Sequence, residues 1–192
     1  LTPLVRGWEC VVVSRPEDLA AVYHERGVGA VQFTPTVWAA LYDARLTPQI
    51  LLCGGEAMPQ VLAQSLRSQS FASTNVYGPT ETTIWSTHSS IVARPDSDVS
   101  IGVPIYNTTT YVMTLSEYKP APPGISGELW IGGIGVARGY HNRPELTAAK
   151  FISHSFGHDR VYKTGDLVRW NAEGELEFVG RIDHQVKVRG FR

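Results

Sequence analysis

The chain has 192 residues, 43% of them hydrophobic and 18% charged, an ordinary globular composition with enough apolar material to bury a core. Seventeen basic residues against eighteen acidic ones leave a formal charge of -1, so the broad positive field used in binding nucleic acid or anionic membranes is missing. With this charge neither nucleic acid nor a membrane is expected as a partner; no signal peptide and no apolar run of about 18 residues occurs, so no membrane span is expected, and two cysteines read as reduced thiols fit a cytoplasmic location.

The predicted elements alternate up to about Ser90. PEDLAAVYHER (16–26) reads as a helix, VGAVQF (28–33) as a strand, PTVWAALYDA (35–44) as a helix and QILLC (49–53) as a strand. PQVLAQSLRSQ (59–69) follows as a helix and STNVYG (73–78) as a strand, a pattern that predicts a parallel sheet with helices packed on it. Ligands of such sheets sit beyond the carboxyl ends of the strands, where GGEA (54–57) and YGPTE (77–81) fall. Cys10 and Cys53 lie in apolar runs without metal-ligand spacing and are expected to be buried, reduced thiols.

From Val92 the texture changes to frequent Pro and Gly and short strand-like runs: TTTYVMT (108–114), GELWIGG (127–133), RVYKTG (160–165), LVRW (167–170), LEFVG (176–180) and QVKVRG (185–190). These predict a β-rich part, a distorted barrel or meander, with NRPELTAAKF (142–151) as its one helix. The chain opens without Met and closes on Gly-Phe-Arg after a strand-like run, which suggests a fragment of a larger protein.

The chemistry concentrates in a few places. Tyr77 offers a flat face for a purine, Thr80 a hydroxyl for phosphate oxygens and Glu81 a hard carboxylate for Mg²⁺. Gly54 and Gly55 let backbone approach a ligand closely, though an ordinary strand-to-helix turn would use the same residues. In YKTGD, Asp166 is placed either to accept both hydroxyls of a ribose or to be a solvated turn residue. GRIDHQVKVRGFR (180–192) carries charges at alternating strand positions, as a solvated edge strand also would. GGIGVARGY (132–140) matches no G-x-G-x-x-G fingerprint and no Walker sequence occurs, so a dinucleotide or P-loop site is rejected. His154 and His158 have i, i+4 spacing but read as a loop pair rather than a metal site, and His24 and His184 read as solvated.

In order and spacing, LLCGGEAMP (51–59), NVYGPTETT (75–83), GELWIGGIGVARGYHNRPELTAAKF (127–151), YKTGDLVRW (162–170) and GRIDHQVKVRGFR closely resemble successive motifs of the amino-acid adenylation domains of nonribosomal peptide synthetases. The resemblance implies an α/β fold: a parallel-sheet layer followed by a β-rich distorted-barrel subdomain, within the large N-terminal subdomain of an adenylate-forming enzyme. It divides the chain into 1–91, 92–182 and a hinge with the start of the small subdomain at 183–192. It implies activation of an amino acid with ATP and Mg²⁺ to an aminoacyl adenylate, then transfer to the phosphopantetheine of a carrier domain. Carrier and condensation domains, and an MbtH-like protein, are the implied partners.

Carried over position by position, Tyr77 and Gly78 resemble the adenine-stacking platform, and Gly54, Gly55 and Glu56 the backbone lining the adenine and substrate pockets. Thr80 and Glu81 resemble the phosphate and Mg²⁺ positions, Asp166 the ribose-binding acid, Arg181 an arginine on ribose and phosphate, and Asp183 the hinge. The resemblance places the phosphate-covering loop before Leu1 and the adenylation lysine after Arg192, and Lys187 is not that lysine, so the chain alone is expected to be inactive. Gln32, Leu52, Gly54, Val76, Ile84 and Trp85 match specificity positions and resemble those of glycine-activating domains. An indole and a glutamine projecting into one pocket leave little volume, so glycine is expected ahead of alanine or cysteine, unless Trp85 is simply core. The competing readings are an acyl- or aryl-CoA ligase of the same superfamily and a non-catalytic docking module.

Overall fold

A computed structural model describes residues 7, 9–13, 15, 18–41, 45–91, 99–153 and 160–183. Helix α1 (Leu19–Arg26) stops at Gly27, whose left-handed backbone (φ 62°) returns its N–H to Tyr23 O. Strand β1 (Ala30–Phe33) leads into α2 (Pro35–Ala40), which starts where the Thr34 hydroxyl accepts the Val37 N–H at 3.4 Å and Pro35 fills a position needing no donor. Strand β2 (Ile50–Gly54), α3 (Gln60–Arg67) and β3 (Ala72–Tyr77) complete the alternation. A single 3₁₀ turn, Thr80–Thr82, then precedes β4 (Thr87–Ser90).

The β-rich part comprises β5 (Ser100–Pro104), β6 (Thr108–Met113), β7 (Gly127–Gly133), helix α4 (Pro144–Lys150), β8 (Phe151–Ser153), β9 (Arg160–Trp170) and β10 (Leu176–Arg181). Hydrogen bonds link the strands in the order β1-β2-β3-β4-β5-β10-β9-β7-β6, with β8 added on β9. β1, β2 and β3 run parallel, and every later pairing is antiparallel. β5 joins the two parts by pairing with β4 on one side and β10 on the other.

The α/β part centres on Trp38, Leu51, Cys53, Leu66 and Phe71, and the antiparallel part on Leu129, Ile131, Val168 and Leu176. Each such side chain contributes about 1.5–3 kcal/mol by leaving water. Tyr77 packs against the second cluster from the end of β3, so the two parts meet at the strand end where the sequence motifs fall.

Two expectations are corrected. RVYKTG and LVRW are one strand, β9, because Gly165 and Asp166 form a bulge rather than a turn. Leu129 alone stands opposite Thr164, Gly165 and Asp166, the register passing from Trp130↔Lys163 to Glu128↔Leu167. Cys10 is exposed, not buried, since residues 9–13 join no strand or helix and 9–12 leave their side chains in solvent, as with Val12 at 86% exposure. Trp85, read as a substrate-pocket residue unless it is core, is half-buried. Cys53 is buried as expected, and burial, aided by the charge of Glu56, pushes its thiol up to about 12. The readings of His154, His158, His184 and Lys187 lie outside the described residues.

Candidate nucleotide site

β2 and β3 end side by side. A side chain at Gly54 would collide with the Val76 carbonyl, and one at Gly78 would come within 2.8 Å of the Ser86 N, so both glycines are required by close backbone approach. Beyond these ends lies a cavity of about 490 Å³, within the range of small-molecule sites. Gly55, Glu56, Tyr77, Gly78, Asp166 and Arg181, all named from sequence, line it together with Val76. Val99, Ile101 and Phe178 supply apolar wall that the sequence does not announce, because β5 lacks a clear strand signature and nothing in the run LEFVG marks which neighbour it faces.

The acid and the arginine arrive from the antiparallel part. In the β9 bulge, Thr164 Oγ1 donates to Leu129 O (2.7 Å) and accepts from Asp166 N–H (3.0 Å), while Gly165 N–H, at φ 74°, donates to Glu128 Oε1 (3.0 Å). Asp166 is thereby turned into the cavity. Arg181 Nη1 donates to its Oδ1 at 2.7 Å and the Tyr77 hydroxyl to its Oδ2. Arg181 also grips Asp183 with two bonds of 2.8 Å. Burial by itself would lower the Arg181 pKa, but the bonds to Asp183 and Asp166 outweigh it and hold the guanidinium above its ordinary value. Tyr77 is raised well above the usual phenol value, first by burial and then by the Asp166 charge, so its hydroxyl remains a donor.

Glu81 does not line this cavity. It is 8% exposed on the 3₁₀ turn and its Oε1 accepts the Tyr140 hydroxyl at 2.7 Å, with Tyr162 Oη 3.2 Å farther on. Burial first, then the bond to Tyr140 and the Glu81 charge, hold Tyr162 above the ordinary phenol range. Ala137 N–H donates to Glu81 O at 2.8 Å, so the segment rejected as a dinucleotide loop braces this turn instead. Tyr140 was missed because its partner lies 59 residues away. Thr80 is exposed.

Gln32 pairs with Leu52, and Gly54 with Val76, on alternate positions of β1–β3 that share the sheet face opposite Leu51 and Cys53. Only Val76 of the specificity set lines the cavity. Thr83 and Ile84, just before Trp85, both adopt the left-handed region, at φ 63° and 73°, which for β-branched residues costs about 1–3 kcal/mol each.

The parallel α/β layer, joined through β5 to the antiparallel layer, matches the fold of adenylate-forming enzymes. The chain belongs to the AMP-binding enzyme family, whose sequence profile matches residues 1–141, and within it to the adenylation domains of nonribosomal peptide synthetases. It is 42% identical over 200 residues to a dimodular nonribosomal peptide synthase of Bacillus subtilis, covering 99% of this chain and 8% of that protein. With bacitracin synthase 3 of Bacillus licheniformis it shares 41% over 198 residues, 99% of this chain and 3% of that protein. The chain thus spans under a tenth of the length of these two relatives.

Among solved structures, a nonribosomal peptide synthetase protein containing adenylation and PCP domains, bound to a vinylsulfonamide inhibitor, superposes with a TM-score of 0.84 at 29% identity. It covers 94% of this chain and 33% of that one. A four-domain nonribosomal peptide synthetase bound to AMP and glycine superposes at 0.80 with 39% identity, over 92% of this chain and 14% of that one.

Proposed function

We propose that this chain forms the nucleotide and amino-acid face of an adenylation reaction, and the observation that carries the reading is the bonded series Tyr77–Asp166–Arg181 across the cavity. A purine stacks on Tyr77 above the Gly55–Glu56 backbone, Asp166 accepts the ribose hydroxyls and Arg181 faces the phosphate. The substrate carboxylate then attacks the α-phosphorus. A bond forms from carboxylate oxygen to phosphorus, the bond to the bridging oxygen breaks, and pyrophosphate leaves with that electron pair. No proton has to be taken from a carboxylate, so the protein supplies position and charge.

Glu81 fits a Mg²⁺ ion: it is a single buried hard-oxygen donor, and among the described residues no cluster of three or more ligating side chains offers a full cage. Mg²⁺ commonly takes one or two carboxylates together with substrate phosphates, and when bound it would neutralise phosphate charge. Thr80, beside it, is the candidate phosphate hydroxyl. Asp183, gripped by Arg181, is the candidate hinge, and rotation there would exchange adenylation for thioester-forming geometry on a carrier's phosphopantetheine. Carrier and condensation domains as partners, an MbtH-like helper, the cytoplasm and the division at 91/92 and 182/183 belong to the same reading. The relatives' adenylation–PCP architecture and the absence of a membrane-length apolar helix among the described residues are consistent with it.

The preferred substrate is glycine, supported by the resemblance of the specificity set to glycine-activating domains and by the glycine-bound protein to which this chain is 39% identical. The test is amino-acid-dependent ATP–pyrophosphate exchange by the full-length protein carrying this sequence, offered each proteinogenic amino acid and several aryl and fatty acids. Exchange led by glycine is expected. Exchange led by a bulky amino acid discards the pocket argument, exchange led by an aryl or fatty acid shifts the reading to a CoA ligase, and no exchange shifts it to a docking module. The 192-residue chain alone is expected to give none, since no segment of it resembles the phosphate-covering loop or the adenylation lysine.

A further inference from the structure

A carboxylate inside a β-sheet is costly unless every oxygen is occupied, and Glu128, the second residue of β7, is 5% exposed. Its occupants are specific. Oε1 accepts the N–H of Gly165 at 3.0 Å, Oε2 accepts the Trp130 indole N–H at 2.9 Å, and Lys163 Nζ lies 3.9 Å from Oε2. Lys163 is itself held over the faces of Tyr118 and Trp130, at 4.7 and 5.4 Å, which keeps its charge beside the acid.

Gly165 sits in the bulge where β7 and β9 lose register, so its N–H is met by Glu128 rather than by the strand ladder. The residue so fixed is the one immediately before Asp166. We infer that Glu128 is a positioning residue for nucleotide recognition: it pins the bulge that aims Asp166 at the ribose. The inference rests on the ribose reading of Asp166 given above. Two donors converge on two different oxygens, so an amide cannot replace the acid. In Glu128→Gln the single amide oxygen can meet only one of the two N–H groups, so the Gly165 bond is either lost or reduced to one with a neutral acceptor.

Equilibrium binding of ATP and of 2′,3′-dideoxy-ATP to the full-length protein tests this without requiring turnover. Wild type is expected to prefer ATP by about 10- to 100-fold, the worth of hydrogen bonds to a charged acceptor. In Glu128→Gln that ratio is expected to collapse to within about threefold, mainly through weaker ATP binding. A purely structural glutamate would weaken both nucleotides alike and leave the ratio standing, which would overturn the inference alone. A wild-type ratio near one would overturn the ribose assignment and this inference with it. If Glu128→Gln does not fold, Trp130→Phe removes one donor and leaves the Gly165 bond in place. Because that bond is the one that pins the bulge, the variant's ratio is expected to stay within about twofold of wild type, and a collapse there overturns the inference too.

Discussion

The two parts of the sheet contribute to the cavity in opposite ways. The parallel part offers shape: Gly54, Gly55 and Gly78 bring backbone close, and Tyr77 lays a ring across it. The antiparallel part offers charge, with Asp166 and Arg181 held in place by Thr164, Glu128 and Asp183. Backbone and aromatic surface need only a strand end, whereas a buried carboxylate needs a support network to stay ionised and aimed. That explains why the acid comes from a bulge with several anchors and the ring from a plain strand.

The largest expected effect tests Glu81, the carboxylate carried by the turn after β3. Glu81→Gln is expected to lower kcat in ATP–pyrophosphate exchange by about 10²–10³-fold, comparable to loss of a preorganised electrostatic group, with a smaller change in the KM for ATP. A rise in KM alone would mean that Glu81 serves ground-state binding and that the division of labour is drawn in the wrong place. Asp166→Asn comes next. It removes the charge paired with Arg181 and the acceptor of the Tyr77 hydroxyl, and the KM for ATP is expected to rise by about 10- to 100-fold with kcat less affected. If kcat fell and KM held, charge from the antiparallel part would be acting on the transition state instead.

The sequence made the parallel part and its glycines legible, because helix and strand periods alternate there and glycine pairs mark strand ends. GELWIGG could be read to the residue, since its first six positions are all buried and the run is nearly all apolar. β4, with the sequence THSS, was invisible because a short polar strand carries no apolar alternation. Gly165-Asp166 was read as a turn because a bulge and a turn use the same residues, and only the partner strand distinguishes them. Tyr140 and Glu128 went unnamed for a related reason: their partners, Glu81 and Gly165, lie 59 and 37 residues away, and no local pattern encodes that proximity.

Tyr140 is where the antiparallel part reaches across to the parallel one, and Tyr140→Phe sharpens the comparison. Removing the hydroxyl that holds Glu81 Oε1 is expected to raise the Mg²⁺ concentration needed for half-maximal exchange by about tenfold, the effect of losing a partner to a metal ligand. Direct Mn²⁺ titration in the presence of ATP, followed by electron paramagnetic resonance, checks the same shift without turnover. An unchanged metal requirement would confine Tyr140 to packing against Phe151, whose ring centroid is 5.4 Å away.

The smallest effect separates the two cysteines. Burial raises the folded-state pKa of Cys53 to about 12, above its ordinary 9.0, so folding keeps its proton on. The stabilisation this represents is complete below the unfolded value and is lost as pH rises from about 9 toward 12, with a slope of at most about 1.4 kcal/mol per pH unit. Urea unfolding of the full-length protein at mildly and strongly alkaline pH is therefore expected to show a falling midpoint that Cys53→Ala partly flattens. Thiol alkylation gives the matching readout: exposed Cys10 is expected to react in the native protein and Cys53 only after unfolding. Native-state labelling of Cys53 at the rate of Cys10 would show that the core beneath β2 opens readily, and the rigid platform assigned to the parallel part would then have to be given up.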